Sequence, residues 1–288
     1  MEKMVTLKNG ISLPPLGIGT WTIGDEPKKA TQEIEAILTG IDEGMTLIDT
    51  AEMYGDGRSE LLVGQAVAQY MKRGRREDLF MVSKVLPWNA GKDKIRSSCE
   101  NSLKRLGLDY LDLYLYHWIG SVPLAEVVQG MVRLQQDGLI RGWGVSNFDT
   151  RNIDELLSLP EGSQCLVNQV LYHTASRGIE YDLIDRMTRH DIALMSYCPL
   201  AQGGRLSQSL RNNAVIADIA HKHNATPAQI ILAWNIRNGH TIAIPKSSSP
   251  THVAENAAAV KIELTSEDLA IIDAEFPPPT SKQPLDTE

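Results

Sequence analysis

A chain of 288 residues that is 42% hydrophobic can bury one sizeable core, and α/β barrels of this length commonly form a single domain. A formal net charge of −8, with no basic block beyond the short run Lys72-Arg73-Gly74-Arg75-Arg76, argues against a nucleic-acid-binding or anionic-membrane-binding face, and that run reads as a solvated turn. The cysteines Cys99, Cys165 and Cys198 stand far apart without metal-ligand spacing, no apolar leader opens the chain, and no apolar run reaches the roughly 18 residues of a membrane span, so reduced thiols in a cytoplasmic protein are expected.

In chain order, Asn9-Gly10 between two short alternating runs predicts a β-hairpin that caps something. Eight strand-like runs follow: "PLGIGTW", "TLIDTA", "LFMVSKV", "YLDLYLYHW", "IRGWGVSNF", "CLVNQVLYH", "IALMSYCPL" and "TIAIPKS". Seven of these eight precede a helical pattern, and in the first helix Ile34, Ile37, Leu38 and Ile41 recur at i, i+3, i+4 and i+7 as one apolar stripe. Ser59 is placed to cap the second helix, and Thr226-Pro227 reads as N-cap and N1 of a helix running towards Asn238. Before the last strand, "NAVIADIAHKHN" and "TPAQIILAWNIRN" supply two helices where one is the rule. Thr265-x-x-Asp268 forms a capping box, and a polar, Pro-rich tail follows Phe276.

Near-continuous apolar strands, each returned by a helix, predict a parallel (β/α)8 TIM barrel over residues 1–288, a single domain with an N-terminal hairpin and extra helices late in the chain. The rival is a doubly wound sheet. Its dinucleotide-binding form needs G-x-G-x-x-G after the first strand, and "GIGTWTIG" has the wrong spacing.

In a barrel the carboxyl ends of the strands meet at one face, so polar residues ending several strands belong together. Here they are Asp49 with nearby Tyr54, Lys84 and His117. A lysine ammonium beside a phenol should lower its pKa from about 10, Asp49 would fix the lysine, and an imidazole could orient a carbonyl oxygen. The quartet would act as general acid to a substrate gaining electrons at carbon. Trp21, Trp88 and Trp118 each follow a barrel strand and are candidates to line an apolar pocket. Glu52 reads as a structural loop residue, Cys198 as packing, and His221 and His223 as surface residues, because i and i+2 do not share a helix face. No metal site is expected.

"LIDTAEMYG", "VSKV", "YLDLYLYHW", "GVSNF", "NQV", "SYCPLAQ" and "IPKS" with "AEN" downstream, in this order across nearly the whole chain, resemble the aldo-keto reductase family. The resemblance implies a (β/α)8 barrel that binds NADPH in extended form without a Rossmann domain. It implies Tyr54 as proton donor, Lys84 and Asp49 as the pair that tunes it, and His117 as the group orienting the carbonyl. Tyr197 matches the ring that stacks on nicotinamide, and Ser146, Asn147 and Gln169 the groups that hold its carboxamide. The backbone at 199–204, with Leu200 and Gln202, matches a pyrophosphate strap. Lys246 and Ser247 sit where the family grips the adenosine 2′-phosphate, and Asn256 where it contacts adenine. His252 replaces an arginine found in many members and cannot make a bidentate fork to phosphate, so preference for NADPH over NADH would rest on Lys246.

"PWNAG", "NQVLYHTASRGIEYD" and "PLAQGGRL" further resemble small bacterial members that reduce methylglyoxal and related aldehydes. The expectation is a monomeric, NADPH-dependent reductase of 2-oxoaldehydes and aromatic aldehydes in preference to steroids. A nicotinamide-binding regulatory subunit of the same fold, the kind that partners potassium channels, is the alternative. A metal-dependent barrel hydrolase would need a ligand pair such as H-x-H ending the first strand, and "GIGTW" has none.

Overall fold

The computed structural model describes residues 3–201 and 204–287. The chain opens with strands β1 (Val5–Thr6) and β2 (Ser12–Leu13), paired antiparallel around the Asn9-Gly10 turn. Gly10 takes φ +85°, a left-handed conformation that only glycine adopts without cost. Val5, Leu7 and Leu13 of this hairpin pack against Leu47, Phe80, Leu113 and Val167, the first residues of four barrel strands. The hairpin therefore plugs the amino-terminal mouth of the barrel.

Eight parallel strands follow in sequence order: β3 (Ile18–Gly19), β4 (Leu47–Asp49), β5 (Phe80–Val85), β6 (Leu113–Tyr116), β7 (Trp143–Ser146), β8 (Val167–Leu171), β9 (Ala193–Tyr197) and β10 (Thr241–Ala243). Bridges from Leu16 to Ala243 and from Gly19 to Lys246 close the sheet on itself. The seam is tight: a Cβ on Gly19 would lie 2.6 Å from the Ile244 carbonyl oxygen, so a side chain there would force the seam apart. Every residue of the eight strands is buried except Ala193 and Tyr197, the two ends of β9. Such double-sided burial is what a helix-covered parallel sheet requires, and it explains the apolar runs.

The return helices are α1 (Ala30–Asp42), α2 (Arg58–Tyr70), α3 (Ile95–Leu106), α4 (Leu124–Gln136), α5 (Thr150–Ser158) and α6 (Leu183–Thr188). Between β9 and β10 come α7 (Gly204–Arg211), α8 (Ala214–Lys222) and α9 (Pro227–Asn235), three helices where the sequence predicts two. The chain ends with α10 (Pro250–Ala258) and α11 (Ser266–Glu275). Among the described residues no helix is long and apolar enough to cross a membrane.

Capping chemistry decides several of these ends. Thr226 and Gln229 make a reciprocal capping box at the start of α9, which stops at Asn235, short of Asn238. Thr265 and Asp268 do the same for α11. Ser59, in contrast, caps nothing: the N-cap of α2 is Gly57 at φ +84°, and the Ser59 hydroxyl reaches the Thr20 carbonyl oxygen at 3.0 Å instead. His223 is half-buried rather than on the surface, because its Nε2 meets Asp268 at 2.9 Å, and with Lys222 it clips α8 to α11. Nor is the basic run a solvated turn throughout. Arg76 lies against the Tyr110 ring and binds the buried carboxylate of Asp112 at 2.7 Å.

Candidate active site

Lys84, on β5, is fully buried at 0% exposure, and each of its three ammonium protons has an acceptor. These are Asp49 Oδ1 at 2.6 Å, the Thr50 carbonyl oxygen at 2.9 Å and the Tyr54 hydroxyl at 3.0 Å. Burial works against the ammonium, but the Asp49 carboxylate and Tyr54 outweigh it and raise the lysine above its ordinary value. The second Asp49 oxygen accepts from Gln169 Nε2 at 2.8 Å. Burial pushes the Asp49 carboxyl up, and Lys84 and Gln169 oppose that.

Tyr54 departs from the sequence expectation in one respect. Burial raises the phenol above its ordinary value, with Asp49 adding to the rise and Lys84 only partly opposing it. The phenol is therefore protonated at neutral pH. Because its oxygen accepts from Lys84, and it donates to no group among the described residues, its own proton is available to a molecule in the barrel mouth.

His117 follows β6 and lies with its ring centroid 5.9 Å from that of Tyr54. Burial, helped by the charge on Lys84, drives its pKa down to about 2, so the imidazole is neutral and carries one N–H donor. Its Nδ1 is buried without a partner among the described residues. The aromatic rings continue on both sides. Trp21 meets Tyr54 edge-on at 4.9 Å, and Trp118 lies 4.7 Å from His117 and 5.9 Å from Trp88. The structure thus brings the three predicted tryptophans to the same rim, with Trp21 and Trp88 exposed and Trp118 half-buried.

The next strand ends are also joined. Ser146 closes β7 and donates to the Gln169 carbonyl oxygen at 2.8 Å. Asn147, left-handed at φ +59°, donates through Nδ2 to the His117 carbonyl oxygen at 3.2 Å and accepts from the Tyr197 hydroxyl at 2.9 Å. The amide and hydroxyl groups read as ligands are therefore already engaged with one another, and a bound carboxamide would exchange for these contacts. Leu200 is buried beyond β9, and Gln202 lies outside the described residues.

Lys246, Ser247, His252 and Asn256 form a separate group around the start of α10. Ser249 caps that helix, Ser247 Oγ accepts from the Ser249 N–H at 3.1 Å, and Lys246 Nζ reaches Ser248 Oγ at 3.3 Å. His252 is exposed in the first helical turn, and Asn256 lies on the same face four residues on, buried. Sequence reasoning missed the tie from Gln169 to Asp49, which spans 120 positions and has no local signal. It also missed Thr50, whose contribution is a backbone carbonyl that no side-chain pattern reveals.

Comparisons with known proteins agree in kind. A family model described as "Aldo/keto reductase family" matches residues 15–275. The chain is 49% identical over 285 residues to methylglyoxal reductase YeaE of Escherichia coli (strain K12), covering 99% of each chain. It is 36% identical over 274 residues to glyoxal reductase of Bacillus subtilis (strain 168), covering 95% of this chain and 93% of that one. Among solved structures, an aldo-keto reductase from Klebsiella pneumoniae in complex with NADPH superposes with a TM-score of 0.95 at 48% identity, covering 100% of both chains.

Proposed function

This chain belongs to the aldo/keto reductase family, and from that premise we propose that it is an NADPH-dependent reductase of small aldehydes, among them 2-oxoaldehydes such as methylglyoxal. The observation that carries the reading is the hydroxyl of Tyr54, held 3.0 Å from a buried ammonium at a rim walled by tryptophans.

When bound, the reduced nicotinamide supplies the hydride to the carbonyl carbon. The chain's own residues do the rest. Tyr54 transfers its phenolic proton to the carbonyl oxygen as negative charge develops there, and Lys84 stabilises the phenolate left behind. Asp49 keeps Lys84 charged and aimed, while neutral His117 donates a hydrogen bond that orients the carbonyl. Trp21, Trp88 and Trp118 wall a pocket suited to small or flat aldehydes. The product is the alcohol, a hydroxyketone where the substrate is a 2-oxoaldehyde.

The residues present fit the cofactor. Tyr197, tethered by its hydroxyl at the half-buried carboxyl end of β9, has a ring suited to stack on one face of a nicotinamide. Ser146, Asn147 and Gln169 offer exchangeable donors and acceptors for its amide. Lys246 and Ser247, at the start of α10, suit an adenosine phosphate, because the helix terminus adds its partial positive charge. Asn256 suits adenine. His252 offers a phosphate at most one hydrogen bond where an arginine would offer a fork. The molecule acts as a monomer on a small carbonyl substrate, in a cytoplasm whose reducing conditions suit Cys99 and Cys165, both buried thiols.

The test is the absorbance of NADPH during incubation with methylglyoxal, an aromatic aldehyde and a steroid ketone. The small aldehydes should give the higher kcat/KM, and an absence of NADPH oxidation with any of them refutes the reading. Lys246→Ala should raise the KM for NADPH by about tenfold, the loss of roughly one charged hydrogen bond, and leave that for NADH nearly unchanged.

A further inference from the structure

The stretch that carries Tyr54 is an awkward piece of backbone. Gly55, Asp56 and Gly57 follow it in succession at φ +57°, +52° and +84°, and only short turns such as Tyr54 N–H to the Ala51 carbonyl oxygen at 3.1 Å hold it locally. A loop of left-handed residues gains no support from a ladder, so something else must fix the height of the phenol. Glu52 does this from both its main chain and its side chain. Its N–H points to the Lys84 carbonyl oxygen at 3.4 Å, and its Oε1 accepts from the Leu86 N–H at 2.7 Å. These two contacts flank Val85, the residue that follows Lys84 on its strand. The same carboxylate accepts from Asn89 Nδ2 at 3.1 Å, next to Trp88, and from the Ser98 hydroxyl on α3.

We propose that Glu52 is a positioning residue for proton transfer: it fastens the loop bearing the phenol of Tyr54 to the strand end bearing the ammonium of Lys84. The proposal rests on the reductase reading above. Its consequence is a separation of catalytic from structural effects. Glu52 borders a polar, solvent-open cavity of about 330 Å³ that Asn89 and Ser98 also line. Water can therefore reach the Leu86 N–H and the Ser98 hydroxyl once the carboxylate is gone, and folding loses little. The phenol, however, loses its register against Lys84.

The experiment compares wild type with Glu52→Ala, Glu52→Gln and Ser98→Ala, using NADPH and methylglyoxal. Glu52→Ala should lower kcat at least tenfold, with the dissociation constant for NADPH within about twofold and a larger solvent hydrogen isotope effect on kcat, as proton transfer comes to limit turnover. Glu52→Gln, whose amide oxygen can still accept from Leu86, should recover much of the loss. Ser98→Ala, which leaves the strand contact intact, should stay within about threefold of wild type. Should Glu52→Ala not fold, Glu52→Asp, one methylene short of Leu86, carries the same expectation. A Glu52→Ala variant with near-normal kcat, or one whose kcat loss comes with an unchanged isotope effect, overturns the proposal, and so does a Ser98→Ala loss as deep as that of Glu52→Ala. If wild type itself is inactive on the aldehydes, the reductase reading falls and this proposal with it; an active wild type with an equally active Glu52→Ala variant refutes the positioning role alone.

Discussion

Lys84 carries a full charge in a place with no solvent, and the side chains around it are explained by that one fact. Three acceptors keep it ionised, and it in turn adds to the burial that keeps His117 neutral and partly offsets the burial of Tyr54. Removing the Tyr54 hydroxyl leaves this charge balance in place, since Asp49 and Thr50 still hold the ammonium. Tyr54→Phe should therefore lower kcat by about 10²- to 10⁴-fold while NADPH binding, followed by quenching of protein fluorescence, changes little. The two buried imidazoles set a pH dependence of stability. His117 is held down to about 2, and His173 to about 4 by burial that Asp286 only partly opposes. In the unfolded chain both bind protons below about pH 6.5 and in the folded chain they do not, so stability is complete above that value and falls as pH drops towards the folded values. The urea midpoint should decline steadily from about pH 7 to about pH 5, less steeply in His173→Asn, whereas kcat/KM should show no inflection from His117 near its ordinary pKa. All four members of the tetrad are legible as residue types at strand ends. The direction of the phenol's pKa shift is not, because burial enters only once the barrel closes around it.

At the scale of elements, the barrel strands are legible because burial on both faces demands an unbroken apolar run, and "LFMVSKV" shows it with Lys84 as its single charge. Alternating strand and helix patterns then leave few other architectures. α7 is not legible, since "GRLSQSLR" offers only Leu206 and Leu210 as apolar residues, too few over eight residues to mark a helix on their own. Ser59 is misread for a related reason. A hydroxyl before an apolar stretch has the form of an N-cap, but left-handed Gly57 ends the loop and frees that hydroxyl to join Thr20 and Thr50 behind the site. The capping box of α11 is read correctly because it is local, yet its weight comes from Lys222 and His223, which reach Asp268 from α8. Although Asp268 is buried, their hydrogen bonds and those of Thr265 hold its carboxyl well below the usual range. Thr265→Ala should cost about 1 kcal/mol, the loss of one cap. Asp268→Ala should cost more, about 2–3 kcal/mol, because it also leaves Lys222, His223 and the Thr265 N–H without their acceptor. Urea unfolding checks both, with turnover expected to stay at the wild-type level.

The whole molecule divides its labour between two ends. The carboxyl ends of the strands carry the polar groups, and the amino-terminal end is sealed by an apolar hairpin. Leu7, buried at the centre of that plug, should cost about 2–5 kcal/mol when changed to Ala, because the barrel strands around it cannot collapse onto the space it leaves. Turnover at saturating substrate should be unchanged in the same variant at a temperature where it remains folded, since its site lies at the opposite end; a matching fall in kcat would show the two ends to be coupled. The amino-acid sequence by itself determined the alternation of strands and helices, the hairpin, and the residue types placed at strand ends, because periodicity, turn chemistry and capping act over a few neighbouring positions. Only the tertiary structure decided the seam between Gly19 and the last strand, the bond from Gln169 to Asp49, the grip of Glu52 on the strand end beside Lys84, and the burial that raises the pKa of Tyr54 and lowers that of His117. Each of these depends on distances and solvent exclusion that exist only when residues far apart along the chain have been brought together around a closed barrel.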